Sequence, residues 1–398
     1  MQLKFTCVAV RYAIATLLWL FVIVPSFAPR SVAQMRVRIA AVGDLMCHES
    51  QIKEAQRDSL YSFDSCYAFI TPLFSGADIV TGNLETVHAG KAQVFTGYPR
   101  FNTPDEYSLA AKRAGFNFLT TANNHSYDRA TIGITRTLDV LDSLGIMHTG
   151  TSRSDSSRAK PKVFTINGIK LGWLAYTTFS NDTVPQAHRT RLNLYDTTHI
   201  KEDIAWLRAL PDSVRPDKIL LSLHWGYEYE LEPRDNQRKM ARWLFEAGID
   251  YILGAHPHVV QPTERLQIVR DGASHECFII YSMGNFLSGQ RPLPRPMGIV
   301  VYLTLEKDSL NQVRLLSTEY ALTYVHLTKD TVQKKPKPIV RTKRYILPLA
   351  EWCEGEKAKL LPASVVRDMK KMKEEIEARF QKADSRFKPW LYWLSAKF

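Results

Sequence analysis

The stretch "YILGAHPHVVQ", residues 251–261, joins an apolar run to a turn that carries two histidines. Its first three residues are typical of a buried strand, and the glycine and proline that follow end the strand pattern. His256 and His258 lie on either side of the proline, so two imidazoles can point into one cavity. A buried strand that ends in such a turn predicts an α/β sheet with a functional site at the carboxyl end of its strands.

Four other apolar segments end in the same way. They are residues 37–42 before Asp44, residues 78–80 before Glu85, residues 116–121 before Asn124 and His125, and residues 219–223 before His224. Helical patterns lie between the strands, and Asn167-Gly168 predicts the turn of a hairpin. The predicted helices cover residues 104–114, 131–144, 198–210 and 235–247. This alternation predicts an α/β fold whose polar strand ends line one edge.

The first 33 residues have the layout of a secretory signal peptide. Lys4 and Arg11 precede an apolar run at residues 13–24, and Ser31-Val32-Ala33 offers small residues for cleavage before Gln34. The run is shorter than the roughly 20 apolar residues that a membrane span needs. We therefore expect an exported protein, located in the periplasm or cell envelope, with no transmembrane helix in the mature chain. The alternative is an uncleaved N-terminal segment that tethers the protein.

The chain is basic, with a net charge of +12. Removal of residues 1–33 takes away three basic residues and no acid, which lowers the net charge to +9. Such a protein attracts anionic substrates or polymers. Residues 329–344 hold seven basic residues and one acid but no interleaved aromatic residues, so a nucleic-acid partner is not expected.

Three parts are predicted: the signal peptide at residues 1–33, a main domain at residues 34–325, and an extension at residues 326–398. The extension is interpreted as a basic linker followed by an amphipathic helix and an aromatic tail. The apolar stripe of that helix consists of Val365, Met369, Met372, Ile376 and Phe380. Docking of the helix on the flank of the domain is favoured over a partner-binding or membrane-surface role.

The donor types at the strand ends are carboxylate, amide and imidazole, without thiolate. This set suits Mn, Fe, Zn or Mg and argues against copper(I) or an iron–sulfur cluster. His256 and His258 are therefore interpreted as metal ligands. Four cysteines follow the signal peptide, and their pairing stays open because three complete pairings exist. No CxxC pair supports a zinc finger, and the absence of a GxSxG elbow argues against a Ser-His-Asp hydrolase.

Six short motifs in fixed order resemble the CapA family of capsule and poly-γ-glutamate synthesis proteins. They are "GDLM" (43–46), "GNLE" (82–85), "ANNHSYD" (122–128), "HWGYEYE" (224–230), "GAHPHVVQ" (254–261) and "SMGNF" (282–286). The family is similar to the calcineurin-like metallophosphoesterase superfamily, and the resemblance covers roughly residues 38–325. It implies a two-sheet α/β sandwich flanked by helices, with two divalent metal ions at its mouth.

The resemblance also implies roles for individual residues. His125 corresponds to the general acid, and Asp128 is a candidate for orienting its ring, with a helix cap as the alternative. Glu228 and Asn285 are assigned to substrate binding, with solvent exposure and a strand-to-loop contact as the respective alternatives. The implied metal ligands are Asp44, Glu85 as the bridging carboxylate, Asn124, His224, His256 and His258.

Two positions depart from the superfamily pattern and leave two functions open. Met46 stands where a ligand histidine is usual, with His48 as a distant substitute, and Glu85 is longer than the usual aspartate. The first function is a metal-dependent hydrolase that cleaves phosphoester or related bonds of an anionic envelope substrate. The second is a non-catalytic envelope component that binds an anionic polymer such as poly-γ-glutamate. In that role it would assist capsule ligase or export partners.

Overall fold

The computed structural model describes residues 35–332 and 339–390. The predicted signal peptide and the aromatic tail beyond residue 390 lie outside the described residues, as does the centre of the predicted basic linker. No helix in the described part of the chain combines the length and the apolar character needed to cross a membrane.

Strands and helices alternate over most of the described chain. The strands are β1 (Met35–Leu45), β2 (Gln56–Arg57), β3 (Leu60–Tyr61), β4 (Ile79–Leu84), β5 (Phe118–Thr120), β6 (Met147–Thr149), β7 (Lys162–Ile166), β8 (Ile169–Thr177), β9 (Lys218–His224), β10 (Tyr251–Ala255), β11 (Thr263–Arg270), β12 (Ala273–Ile280), β13 (Asn285–Leu287), β14 (Met297–Lys307), β15 (Val313–Val332), β16 (Ile339–Pro348) and β17 (Lys388–Pro389). The helices are α1 (Glu49–Ala55), α2 (Glu106–Ala114), α3 (Ala130–Ser143), α4 (Thr197–Arg208), α5 (Asp235–Ala247), α6 (Leu349–Trp352) and α7 (Ala363–Ala383). Short 3₁₀ turns lie at Asp64–Tyr67, Thr71–Phe74, Lys91–Gln93, Gln186–Arg191 and Lys357–Leu360.

Two large sheets share a common plan. The first has the order β16-β15-β14-β1-β4-β5-β6, with β13 beside β1 and β17 beside β15. The second has the order β11-β12-β10-β9-β8-β7. In each sheet the strands next to the functional motifs are parallel, and antiparallel strands complete the sheet. The carboxyl ends of the parallel strands carry the motifs, as the sequence predicts for an α/β fold.

The two sheets pack face to face. Val37 and Ile39 of β1 lie in one buried cluster with Trp173 and Leu220 of the second sheet. The alternate residue Val42 lies in a second cluster, which includes residues of α2. Strand β1 is therefore apolar on both faces, which explains its continuous apolar run. This arrangement confirms the predicted two-sheet α/β sandwich flanked by helices.

Several predicted elements are confirmed. Helix α5 has the predicted bounds, and Gly248 ends it with a φ of 128°. The hairpin β7–β8 turns at Asn167 and Gly168, both of which have positive φ. The C-terminal helix α7 docks on the flank of the first sheet through Met369, Ile376 and Phe380, which are fully buried.

The predicted basic linker requires a correction. Residue 325 lies inside β15, and the described parts of the linker pair with each other as β15 and β16. The strands continue past the predicted boundary because Val325 and Ile346, which are paired in the register, are both buried in the core. The surrounding charged residues conceal this pattern in the sequence.

The four cysteines of the described residues are buried thiols, and none forms a disulfide. They are Cys47, Cys66, Cys277 and Cys353. Burial raises the pKa of each thiol, and it raises that of Cys66 and Cys277 to about 12. A thiol with a raised pKa stays protonated and is a poor metal ligand.

Gly254 allows the second sheet to close tightly just before the histidine turn. A Cβ at this position would lie 1.9 Å from the carbonyl oxygen of Tyr281. A hydrogen bond from the amide of Met283 to the carbonyl of Gly254, at 3.0 Å, holds the same two backbone segments together. Backbone atoms cannot move aside as a flexible side chain can, so the position requires glycine.

We predict that Gly254→Ala lowers the free energy of unfolding by about 3 kcal/mol, because the new methyl group meets backbone atoms. Gly272→Ala is the matched control. Gly272 has a φ of 77° and no neighbour within 4 Å, so only its left-handed backbone opposes a side chain. That cost is about 1 kcal/mol. Urea unfolding of both variants measures the difference, and equal losses would contradict the steric argument.

Candidate metal centre

The polar strand ends of both sheets meet at one place. Asp44 comes from β1 and Glu85 follows β4, whereas His224 ends β9 in the other sheet. Asn124 follows β5, and His256 follows β10. All five residues are buried, with side chains that converge although the residues are far apart in sequence. The structure therefore brings together the ligand residues that the sequence predicts.

Glu85 belongs to two groups of potential metal ligands. The first group is Asp44, Glu85 and His258, and the second is Glu85, His224 and His256. In each group the donor atoms lie within 4.8 Å of one another. Oε1 of Glu85 is 3.8 Å from Nε2 of His258 and 3.7 Å from Nε2 of His224. Glu85 thus stands between the two groups, which is the position expected of a bridging carboxylate.

The carboxylate of Glu85 fits a bound cation. It is fully buried, and neither oxygen accepts a hydrogen bond from any described residue. Burial and the neighbouring carboxyl of Asp44 raise the pKa of Glu85 well above its usual value. A buried carboxyl without a donor needs either a proton or a cation. Nδ1 of His256 is likewise buried and without a partner among the described residues. A carboxylate and an imidazole nitrogen at this place are therefore both free to bind a metal ion.

The histidines remain available as neutral ligands. Burial lowers the pKa of His224 well below its usual value, and the nearby His256 and His258 rings add to the shift. Burial also lowers the pKa of His256 to about 3. Both imidazoles are therefore neutral at physiological pH, which is the form that binds metal. Together with the carboxylates and Asn124, they form a set of oxygen and nitrogen donors that suits Mn, Fe, Zn or Mg.

Asn83 holds one residue of each group and was not singled out as a site residue by the sequence. Its Nδ2 lies 2.8 Å from Oδ1 of Asp44 and 3.1 Å from Nδ1 of His224. Its own Oδ1 accepts from Nδ2 of Asn123 at 3.2 Å. Hydrogen bonds of this kind orient metal ligands. The signal in the sequence was its position in the "GNLE" motif, directly before the strand end.

His125 and Asp128 form a buried pair beside the two groups. Nδ1 of His125 is 2.8 Å from Oδ2 of Asp128, which also accepts from the amide of Phe101 at 2.6 Å. Helix α3 begins at Ala130, and Asp128 makes no capping bond to it. The contacts match the orienting role and not the helix cap. The far ring nitrogen of His125, Nε2, lies 3.2 Å from Nδ2 of Asn181, a residue that the sequence did not indicate.

The two predicted substrate-binding residues have different surroundings. Glu228 is exposed and forms a third group of potential ligands with His256 and His258. It lies at the open side of the centre and can contact either a metal or a substrate. Asn285 is fully buried, and its Nδ2 donates to the carbonyls of His258 and Arg295. Asn285 therefore ties a strand to a loop, and its assignment to substrate binding stays a prediction.

Met46 and His48 lie outside all three groups in the described chain. The Met46 side chain is buried, with its sulfur 4.0 Å from the hydroxyl of Ser288. Nδ1 of His48 accepts a hydrogen bond from the amide of Gly289 at 3.1 Å. Neither residue supplies the ligand that is usual at position 46 in the superfamily pattern.

A cleft of about 460 Å³ opens beside the centre. Its lining includes Asn124, Phe179, Asn181, Tyr227, Glu228 and His256. His256 lines this cleft, so a substrate in the cleft lies next to the metal-ligand group.

A profile of the family described as "Bacterial capsule synthesis protein PGA_cap" matches residues 38–290, which include every residue of the three groups. The chain belongs to this family.

Two curated relatives are also named for PGA or capsule biosynthesis. The PGA biosynthesis protein CapA of Bacillus subtilis (strain 168) is 27% identical over 299 residues, which cover 74% of this chain and 74% of the relative. The capsule biosynthesis protein CapA of Bacillus anthracis is 25% identical over 262 residues, which cover 64% of this chain and 60% of the relative.

Among solved structures, the NAD nucleotidase of Haemophilus influenzae aligns with a TM-score of 0.44 and 12% identity. The alignment covers 86% of this chain and 63% of that chain, and a likeness this distant supports no conclusion about activity.

We predict that Glu85→Gln raises the stability of the protein when metal has been removed by a chelator. The substitution removes a buried group that otherwise needs a proton or a cation. Because the folded-state pKa of Glu85 is raised, the wild type loses stability relative to the variant as pH rises above about 4.5. The deficit of the wild type should therefore be greater at about pH 8 than at about pH 5.

Thermal unfolding with and without Mn²⁺ measures this effect. Added Mn²⁺ should stabilise the wild type more than the variant, because only the wild type keeps the charged oxygen. Glu246→Gln is the matched control, since Glu246 is exposed and its loss should change stability by less than about 0.5 kcal/mol. A wild type that responds to neither chelator nor Mn²⁺ would contradict a cation site at Glu85.

Proposed function

We propose that this member of the capsule synthesis family is an exported, metal-dependent hydrolase. Its substrate is an anionic, envelope-linked molecule, and the bond cleaved is a phosphoester or a related bond. The observation that carries the proposal is the position of Glu85, which is shared by two buried groups of potential ligands. The buried His125–Asp128 pair beside them supplies a proton donor or acceptor, which a site built only for binding does not need.

Divalent ions bound in such a centre lower the pKa of water and stabilise negative charge on phosphoryl oxygens. The protein's own residues prepare the rest of the reaction. Asp128 fixes the His125 ring through Nδ1, which leaves Nε2 as the atom that exchanges a proton with the leaving group. Asn181 contacts the same Nε2. It therefore holds the His125 ring until a substrate displaces Asn181 from that nitrogen. Glu228 borders the cleft through which the substrate enters.

A second function is a non-catalytic envelope component that binds an anionic polymer during capsule synthesis. Met46 favours it, because the position of a usual ligand is occupied by a buried thioether that belongs to neither group. The relatives named for PGA and capsule biosynthesis motivate the choice of polymer, which we take to be poly-γ-glutamate. The partners in this proposal are capsule ligase or export proteins. Export of the chain and its place in the periplasm or envelope are part of both proposals.

We predict that His125→Ala lowers the hydrolysis rate of bis-p-nitrophenyl phosphate by the Mn²⁺-loaded protein at least about 100-fold, as expected on removal of a general acid. Metal content should stay unchanged, because His125 belongs to none of the ligand groups among the described residues. His148→Ala is the matched control, since His148 also contacts an aspartate, Asp142, but lies outside the centre.

A metal-loaded wild type that hydrolyses neither phosphodiester nor phosphomonoester probes would contradict the hydrolase. If the same protein binds poly-γ-glutamate, and His125→Ala binds it equally well, the second function is supported instead.

A further inference from the structure

Arg295 lies at the rim of the metal centre, on a loop that the proposed mechanism does not use. Its guanidinium carbon is 3.7 Å from the centre of the Tyr229 ring, a stacked cation–π arrangement. Tyr229 in turn lies 6.3 Å, ring to ring, from His258. The amide of Tyr229 donates to the carbonyl of Pro257 at 2.8 Å, which joins it to the histidine turn. Arg295 and Tyr229 therefore form a platform beside the ligand group of Glu228, His256 and His258.

Among the ion pairs of the described residues, none within 4.0 Å involves the guanidinium of Arg295. Its Nη1 donates to the carbonyl of Arg291 at 2.9 Å, and the remaining N–H groups have no acceptor among the described residues. A guanidinium has five donors in one plane, and stacking on a ring leaves that plane accessible at its edge. Such a fork matches the two oxygens of a carboxylate or phosphate.

A second stacked arginine, Arg234, has its guanidinium bound to a carboxylate. Arg234 stacks on Tyr227 at the same distance, 3.7 Å. Its Nε, however, contacts both carboxylate oxygens of Glu230, and its Nη2 contacts one of them. The two arginines share a stacked geometry and differ in whether a carboxylate of the described chain binds the guanidinium.

The platform of Arg295 and Tyr229 is held in place by a buried side chain and by a strained backbone. Asn285, which is fully buried, donates to the carbonyl of Arg295 at 2.9 Å and to that of His258 at 3.3 Å. Tyr229 has a φ of 67°, a left-handed conformation that costs a tyrosine energy, and its side chain is still 37% exposed. Strain of this kind persists where the surroundings enforce it, and it concentrates at binding sites.

We propose that Arg295, stacked on Tyr229, binds an oxyanion of the substrate next to the group that the metal centre holds. The oxyanion is a carboxylate or a phosphate, so the substrate carries at least two negative groups. This inference rests on the proposed function, because it takes the metal centre as the place where the first group binds. Arg295 would then distinguish multiply charged substrates from singly charged ones.

The test is calorimetric titration of the full-length, Mn²⁺-loaded protein with three probes. Inorganic phosphate reports the metal centre alone, γ-linked triglutamate offers additional carboxylates, and tripolyphosphate offers additional phosphates. Arg295→Gln should weaken triglutamate or tripolyphosphate at least tenfold and inorganic phosphate less than twofold. The probe that loses more identifies the oxyanion. Arg234→Gln, the matched control, should change all three by less than twofold.

Arg295→Lys keeps the charge but not the fork, and it provides a second variant if Arg295→Gln does not fold. It should bind the affected probe at least threefold more weakly than the wild type. The proposal is overturned if both Arg295 variants bind like the wild type, or if Arg234→Gln loses as much affinity as Arg295→Gln. It is also overturned if the wild type binds neither multiply charged probe more tightly than inorganic phosphate. If the Mn²⁺-loaded wild type does not bind inorganic phosphate at all, the proposed function is overturned instead.

Discussion

The buried carboxylate of Glu85 is the constraint on which the rest of the site depends. It has no exposed surface, no hydrogen-bond donor among the described residues, and a second carboxyl, that of Asp44, beside it. The nearby imidazoles of His224 and His256 cannot supply the missing positive charge, because burial lowers the pKa of both. The chain thus builds a place for positive charge that neither of these two histidines provides. A divalent cation resolves this conflict, and the donor set is one that such cations accept.

The fold explains how so polar a cluster can be buried. Parallel strands in both sheets end at the same edge of the sandwich, and each contributes a side chain to the cluster. Buried amide side chains then orient the potential metal ligands. The main example is Asn83, which contacts both Asp44 and His224. Close backbone contact at Gly254 sets the turn that carries His256 and His258. Sheet packing, in this way, determines which ligands meet.

The sequence predicted the site better than it predicted the edges of the fold. A polar residue at the end of an apolar strand is a local signal, and it indicated Asp44, Glu85 and His224, which the structure brings into two groups joined by Glu85. Strand β16 was missed because its charged residues hide the alternation that pairing with β15 reveals. The contact of Asn181 with His125 and the stacking of Arg295 on Tyr229 join residues more than 50 positions apart. Such contacts depend on how loops meet after folding, and no local pattern announces them.

The positions of metal ions in a crystal decide whether Glu85 binds two cations. Anomalous scattering from crystals of the protein grown with Mn²⁺ shows where the ions bind. We expect two peaks that both contact Glu85, one shared with Asp44 and His258 and the other with His224 and His256. A single peak, no peak, or peaks that do not touch Glu85 would contradict it.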